Sequence, residues 1–357
     1  MYFIISSERS RRIERLVLRI FSKLIFLFSC KQKTIYITRY SKSNVMAVTV
    51  LGSIHIDLYI KVDRLPEMGE TIVGSGFTIL PGGKGANQAV GCGRLGEETY
   101  MIGRIGVEFS DLILRNFRDN KVITDSIIID EHYPTGVAFI ILHEKTKENM
   151  IIIDPGAGKR ISNLDIDRAD NEIDSSKIVL LQLEIPLEAN LYMCKKAKFK
   201  GKTVILNPAP ARILPEDMFH YIDIITPNRV ETYQLTGVAV KDVSTAKEAG
   251  ERLIQKGVNT VIITLGSYGS VLVTASGALY YPAFSVEVID TTGAGDAFNA
   301  GLAVALSRGM DIEEALVWAN AAAALKLTKL GAQTGLPYLD ELLDFLKKHS
   351  KYKGKTI

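Results

Sequence analysis

Between residues 48 and 327, short β-branched runs alternate with helical stretches, and no other feature of the chain restricts its fold so tightly. Residues 48–52, 100–102, 178–183, 204–206, 222–225 and 261–265 are nearly continuous apolar runs, whereas 188–199, 243–255, 297–307 and 312–327 repeat their apolar residues at helical spacing. Strands that are apolar on both faces and separated by helices predict a three-layer α/β fold, a central, mostly parallel sheet with helices on both faces. Two stretches break the alternation. Residues 58–80 and 136–153 read as antiparallel strand pairs, the second turning at 144–148, with no helix nearby to cover them. A small sheet hanging from an α/β body predicts a lid over a ligand site. The expected organisation is one domain over 46–349 carrying that lid, followed by a tail over 350–357.

Charge narrows the partners. The formal net charge of +3 over 357 residues is uneven: residues 1–45 hold ten basic and two acidic side chains, a balance of +8, which leaves −5 for the other 312. Polynucleotide binding needs a basic folded body, so nucleic acid is not an expected partner. The first 45 residues are set aside from the fold. They admit three readings: a transit peptide for organelle import, an amphipathic helix on an anionic membrane, or a translated upstream region with Met46 as the true start. No apolar run reaches the roughly 18 residues of a membrane span, so stable membrane insertion is not expected. The three scattered cysteines, Cys30, Cys92 and Cys194, form neither a disulfide framework nor a CxxC pair and predict a reducing compartment, the cytoplasm. The five histidines have no zinc-ligand spacing, and 47% apolar residues exclude a disordered chain.

Glycine clusters carry the chemistry. Gly91-Cys92-Gly93-Arg94-Leu95-Gly96 matches GxGxxG, but it follows a helical stretch where a dinucleotide site needs a strand, so these glycines predict packing at a helix end. No GxxxxGK[ST] loop is present. In Pro81-Gly82-Gly83-Lys84-Gly85-Ala86-Asn87-Gln88-Ala89, paired glycines allow close backbone approach. Lys84 and Asn87 sit one turn apart at a helix start, where free N–H groups and polar side chains can point the same way; a plain tight turn with a solvated lysine is the alternative. Asp290-Thr291-Thr292-Gly293-Ala294-Gly295-Asp296 is the strongest signal: a strand ending near Ile289 is expected to run into small residues that open a helix, leaving unpaired N–H groups as an anion hole. Asp296, just inside that helix, is placed to take a proton from a hydroxyl while the N–H groups hold developing phosphate charge. Asn228 and Glu231 share one face of another helix start and suit a water-shelled Mg²⁺ carried with a nucleotide. Thr264-Leu265-Gly266-Ser267-Tyr268-Gly269 ends a strand with a hydroxyl and glycines able to touch phosphate or nucleoside; either segment also reads as an ordinary cap or turn.

Together these segments resemble the ribokinases of the PfkB carbohydrate kinase family over 46–349. Leu181-Gln182-Leu183-Glu184-Ile185-Pro186-Leu187-Glu188, Asn207-Pro208-Ala209-Pro210-Ala211-Arg212 and Gly331-Ala332-Gln333 add to the match. The resemblance implies a ribokinase-like fold and ATP-dependent phosphorylation of a sugar, first O5 of D-ribose. Another pentose, a ketohexose or a nucleoside is the alternative, and a non-catalytic sugar sensor a further one. It implies that Asp57, Gly82, Gly83, Lys84, Asn87 and Glu184 hold the sugar. Asp296 would be the general base, and the N–H groups of Gly293, Ala294 and Gly295 would stabilise the transferred phosphoryl group. Asn228, Thr264, Gly266, Gly269, Gly295 and Asn320 would line the ATP site, and Glu231 would organise Mg²⁺ through water. A K⁺ site is implied at Asp290 and Thr292 with carbonyls at Lys326, Lys329 and Gly331, one ligand position falling on Gly335, which has no side chain. His55 and Gly158 stand where ribokinases usually have asparagine. Lid strands with unpaired edges imply a homodimer joined lid to lid.

Overall fold

Alternation of side chains across a buried sheet sorts this chain's apolar residues into two cores. The computed structural model describes residues 46–144, 146 and 149–357; the readings made on residues 1–45, and part of the expected turn at 144–148, lie outside them. The strands are β1 (Ala47–Leu51), β2 (His55–Val62), β3 (Ser75–Gly82), β4 (Glu98–Gly106), β5 (Val122–Ile123), β6 (Ile127–Asp130), β7 (Gly136–His143), β8 (Asn149–Asp154), β9 (Ile178–Gln182), β10 (Thr203–Asn207), β11 (Ile224–Ile225), β12 (Thr260–Thr264), β13 (Ser270–Thr274), β14 (Gly277–Tyr281) and β15 (Lys355–Thr356). Among the described residues the main sheet runs β15-β14-β13-β12-β11-β10-β9-β1-β4-β5, with β6 also on β4. It is parallel from β5 to β12 and antiparallel from β12 to β15.

Val48, Val50, Ile178, Leu180, Ile205 and Ile262 point into one core, under the Lys84–Arg94, Ala294–Ser307 and Ile312–Leu327 helices. Their neighbours Leu51, Val179, Leu181, Val204, Leu206, Val261 and Ile263 point into the other, under the Leu187–Phe199 and Val243–Gln255 helices. Each such side chain contributes about 1.5–3 kcal/mol by leaving water. Each core also holds one buried free thiol, Cys92 in the first and Cys194 in the second, and burial pushes both thiols well above their usual range.

The expected lid is a four-stranded sheet ordered β3-β2-β7-β8. Its outer pairs are antiparallel as expected, but the central β2–β7 pair is parallel, starting with His55 opposite Gly136. Within the 350–357 tail, Lys355 and Thr356 pair with Tyr280 and Leu279 at the sheet edge. One further expectation changes. The strand expected over 222–225 shortens to β11, its first residues following the 3₁₀ turn Glu216–Tyr221. No helix among the described residues is long and apolar enough to cross a membrane. The C-terminal ends of β1, β9, β10, β11 and β12 lead into Ser53, Glu184, Asn207, Asn228 and Thr264, so the parallel sheet gathers the signalled residues along one edge, where open α/β sheets bind ligands.

Candidate active site

Two helix N-termini meet at this edge. The first belongs to Lys84–Arg94, where the sequence suggests free N–H groups; the structure shows them occupied. Lys84 N–H donates to Glu184 Oε2 at 3.0 Å, Gly85 N–H to Ser53 Oγ at 3.3 Å and Ala86 N–H to the Ser53 carbonyl at 2.9 Å. Ser53 Oγ donates to the same Glu184 oxygen at 2.5 Å. The positive end of this helix is therefore matched by the protein's own carboxylate. Gly83 enters the helix at φ 90°, and a Cβ there would stand 2.8 Å from the His55 nitrogen and 2.9 Å from the Ser53 carbonyl, so glycine is required. At Gly82 a Cβ would lie 2.2 Å from Asp57 Oδ1. His55 and Asp57 share one face of β2, while Ile56 and Leu58 pack into the core. His55 and Glu184 line a 360 Å³ cavity with Ile153, Pro155, Pro186 and Arg212. His55 Nε2 and Asn87 Oδ1 are buried without a protein partner, an arrangement that hydroxyl groups of a ligand would satisfy.

The second N-terminus belongs to Ala294–Ser307. The strand expected before it, ending near Ile289, is not formed: the N–H groups of Ile289 and Asp290 bond instead to the Leu327 carbonyl at 2.7 and 3.2 Å, at the end of a helix. The approach is fixed by Asp290, whose carboxylate accepts from Thr292 N–H at 2.9 Å and Gly331 N–H at 2.8 Å. Gly293 caps the helix at φ 79° and the terminus has no side-chain cap. The N–H groups of Gly293, Gly295 and Asp296 have no partner among the described residues, and that of Ala294 makes a 3.3 Å bond to the Thr291 carbonyl. Open N–H groups at the positive end of a helix dipole are able to hold an anion.

Asp296 lies just inside, only 5% exposed. Its Oδ2 accepts from Asn87 Nδ2 at 2.8 Å and its Oδ1 from Gln88 Nε2 at 3.0 Å. The Gln88 amide is oriented in turn: its Oε1 accepts from Gln182 Nε2 at 2.6 Å and its Nε2 also reaches Asn207 Oδ1 at 3.2 Å. Asn207 Nδ2 donates to the Thr226 carbonyl at 3.3 Å, Thr226 Oγ1 to Asn299 Oδ1 at 2.7 Å, and Asn299 Nδ2 to the Gly295 carbonyl at 2.8 Å. The chain of amides thus returns to the residue before Asp296. Both side-chain contacts to the carboxylate are donors, which favours its ionised, proton-accepting form. Burial pushes Asp296 upward, while Lys84, Asn87 and Gln88 pull it back.

The same low dielectric acts on its neighbours. Burial, helped by Glu184 and Asp296, raises Asp57 to about 7. Burial also raises Glu231 to about 7, against the Asn228 N–H and Lys84. Desolvation lowers Lys84, but Asp296, Glu184 and Glu231 outweigh it and hold the ammonium charged. Burial lowers His55, which favours its neutral form.

At the end of β11, Asn228 and Glu231 form a complete capping box. Asn228 Oδ1 accepts from the Val230 and Glu231 N–H groups at 2.9 Å, and Glu231 accepts from the Asn228 N–H and Nδ2 at 2.8 Å each. A β-bridge ties Asn228 to Thr264, and Gly266 and Gly269 turn the chain at φ 62° and 96° beside Tyr268, over which the Arg229 guanidinium stacks at 5.0 Å. Asn320 faces inward: its Nδ2 donates to Ser270 Oγ at 3.0 Å and to the Leu316 carbonyl at 2.9 Å. Among the described residues no three His, Cys, Asp or Glu side chains converge on a metal position. The residues implied for K⁺ do not fit one. Lys326 Nζ donates to the Asp290 and Lys329 carbonyls, the Gly331 carbonyl accepts from Gly335 N–H, and the Asp290 carboxylate is held by Thr292 and Gly331.

Sequence reasoning assigned no role to Ser53, Gln88, Gln182, Asn207, Thr226 or Asn299. Their signal was visible: each apolar run of β9, β10 and β11 ends in or is followed by an amide or hydroxyl, and the register sets Asn207 beside Gln182. The GxGxxG glycines serve packing, as expected. A Cβ at Gly91 would lie 2.6 Å from that of Ala300, and one at Gly93 2.1 Å from the Asn120 carbonyl.

The sequence and the fold have counterparts among known proteins. Ribokinase from Haemophilus influenzae is 40% identical over 301 residues, covering 84% of this chain and 98% of that protein. The ribokinase structure from Thermotoga maritima superposes with a TM-score of 0.75 at 38% identity, covering 84% of this chain and 99% of its own. Arabidopsis thaliana ribokinase, solved with ribose and ATP, gives a TM-score of 0.78 at 35% identity over 84% of this chain and 98% of its own. Residues 46–339 match the pfkB family carbohydrate kinases, and the chain belongs to that family.

Proposed function

We propose that the chain is an ATP-dependent ribokinase that converts D-ribose to ribose 5-phosphate. The observation that carries this reading is the placement of a buried carboxylate, Asp296, within the first turn of an uncapped helix and against Asn87, whose Oδ1 is buried without a partner among the described residues. Asp57, Glu184 and Lys84 supply the polar groups that fix the sugar, with His55 Nε2 and Asn87 Oδ1 as further partners for its hydroxyls. Asp296 takes the O5 proton as O5 bonds to the γ-phosphorus; the bond from that phosphorus to the β–γ bridging oxygen breaks, and ADP leaves with the electron pair. The open N–H groups of Gly293 and Gly295, with Ala294, stabilise the charge on the transferred phosphoryl oxygens. Asn228, Thr264, Gly266 and Gly269 flank the nucleotide. Mg²⁺ bound with the ATP phosphates would neutralise their charge, and Glu231 would be the residue that holds it. The buried thiols of Cys92 and Cys194 suit a reducing, cytoplasmic setting.

The test is ADP release with ribose, deoxyribose, fructose and adenosine as acceptors. The highest kcat/KM is expected with ribose. A higher value with another acceptor transfers the assignment to that acceptor, and no turnover with any of them favours the sensor reading.

The lid also supports a homodimer. β3 and β8 are its edges, and β8 exposes Met150, Ile151, Ile152 and Ile153 between 45% and 60%, with Phe77 and Phe139 exposed nearby. Apolar edge strands of this kind pair with another chain. Gel filtration at micromolar concentration is expected to show a dimer, and a monomer there removes the proposal.

A further inference from the structure

Lys326 has no exposed side-chain surface, although it carries an ammonium group. It enters the interior from the end of the Ile312–Leu327 helix, after a run of four alanines and a leucine. Burying a charge is costly unless it is paired and hydrogen-bonded, so the partners of Nζ define what the side chain does. Nζ donates to the backbone carbonyls of Asp290 and Lys329 at 3.0 Å each and lies 3.7 Å from Asp290 Oδ2. Two carbonyl oxygens and a carboxylate oxygen converging on one point form the hard-oxygen set that an alkali cation takes. Here the position is filled by a cation covalently attached to the chain.

The space for it is provided by a second residue. A Cβ at Gly335 would stand 2.8 Å from Lys326 Cδ and 3.0 Å from Cε, so the lysine stem passes where a side chain at 335 would be. Gly335 N–H in turn holds the Gly331 carbonyl at 3.1 Å. The link to the active site is Asp290: its carbonyl meets Lys326, while its carboxylate receives Thr292 N–H and Gly331 N–H and sets the approach to the Ala294–Ser307 helix.

We infer that Lys326 is a built-in monovalent cation that holds the loop from Asp290 to Gly295 in its anion-binding shape, so that the protein works without added K⁺ or Na⁺. Lys326 is a positioning residue, acting through Asp290 on the N–H groups beside Asp296. The inference rests on the kinase reading for its catalytic consequence, but not for its cation chemistry.

The experiment compares KCl with tetramethylammonium chloride at equal ionic strength. Wild-type turnover and the melting temperature of the substrate-free protein are expected to be the same in both salts. The double variant Lys326→Ala/Gly335→Ser empties the position and adds a hydroxyl. In tetramethylammonium it is expected to lose about 10²-fold in kcat with little change in sugar KM, as for a displaced anion-hole donor. K⁺ or NH₄⁺ is expected to restore kcat and to raise the variant's melting temperature. Wild-type protein that needs K⁺ for turnover, or melts higher in KCl than in tetramethylammonium, overturns the inference. So does a double variant that is fully active and indifferent to K⁺. Should the double variant not fold, the wild-type comparison decides alone; should no sugar be phosphorylated, the melting comparison still decides while the kinase reading falls separately.

Discussion

The two helices that meet at the site begin alike and end up differently. Both are entered through a glycine at positive φ, Gly83 at 90° and Gly293 at 79°, and neither has a side-chain cap on its N-cap residue. At Lys84–Arg94 the first N–H groups are taken by Glu184 and Ser53. At Ala294–Ser307 those of Gly293, Gly295 and Asp296 stay open. A helix terminus is an anion site only when the protein withholds its own anion. The closed terminus can then serve as a rigid base for Asn87 and Gln88, which hold Asp296 against the open one.

Changes at the open terminus are expected to be the largest. Asp296→Asn removes the proton acceptor and is expected to lower kcat by roughly 10²- to 10⁴-fold with folding intact; a variant keeping a tenth of wild-type turnover or more breaks the general-base assignment. Gly293→Ala places a Cβ 3.1 Å from Ala332 Cα at a φ unsuited to alanine. The displaced N–H groups are expected to cost about 10²-fold in kcat, and single-turnover kinetics would show whether the loss lies in the chemical step.

The closed terminus should answer mainly in stability. Glu184→Gln removes the charge facing the dipole and is expected to destabilise by about 1–2 kcal/mol, read as a lower melting temperature, with a rise in sugar KM. An unchanged melting temperature would mean that Glu184 belongs to the ligand alone. The smallest effect is pH-dependent. Asp57, raised to about 7 by burial, binds a proton more tightly when folded. Its contribution is therefore fully present below the unfolded carboxylate pKa and fades as pH rises toward 7. Glu231 acts in the same direction, while His55, lowered by burial, opposes both below its ordinary pKa. Asp57→Asn is expected to flatten the decline in melting temperature between pH 5 and 8 by a few degrees; a parallel, merely offset curve would contradict the raised carboxyl.

What the sequence made legible follows from locality. The Val243–Gln255 and Ile312–Leu327 helices match their expected bounds because Asp242 and Asp311 cap them and their apolar spacing is self-contained. The hairpin of β13 and β14 and the edge strand β15 went unassigned because their partners are decided by the sheet. The irregular approach to Asp290 was misread as a strand because Ile289 finds its acceptor at the end of a helix distant in sequence. In the site, residue types were readable from motifs, but the occupancy of each polar group was not. The motifs name Glu184 and Asn320 as residues of the site, but not that Glu184 also accepts from Lys84 N–H or that the Asn320 amide donates to Ser270. Lys326 did leave a trace, a lysine within an alanine-rich apolar helix, whose meaning depended on Gly335 nine positions later.

The division of the interior into two cores, each with a single buried thiol among the described residues, makes the molecule its own reporter of partial opening. Cys92 sits on the buried face of the Lys84–Arg94 helix, beside the candidate active site, and Cys194 on that of the Leu187–Phe199 helix, on the far side of the sheet. Pulsed alkylation followed by peptide mass analysis would time the exposure of the two layers separately in one sample, showing whether ligand binding slows the loosening of the catalytic side alone or of the whole fold.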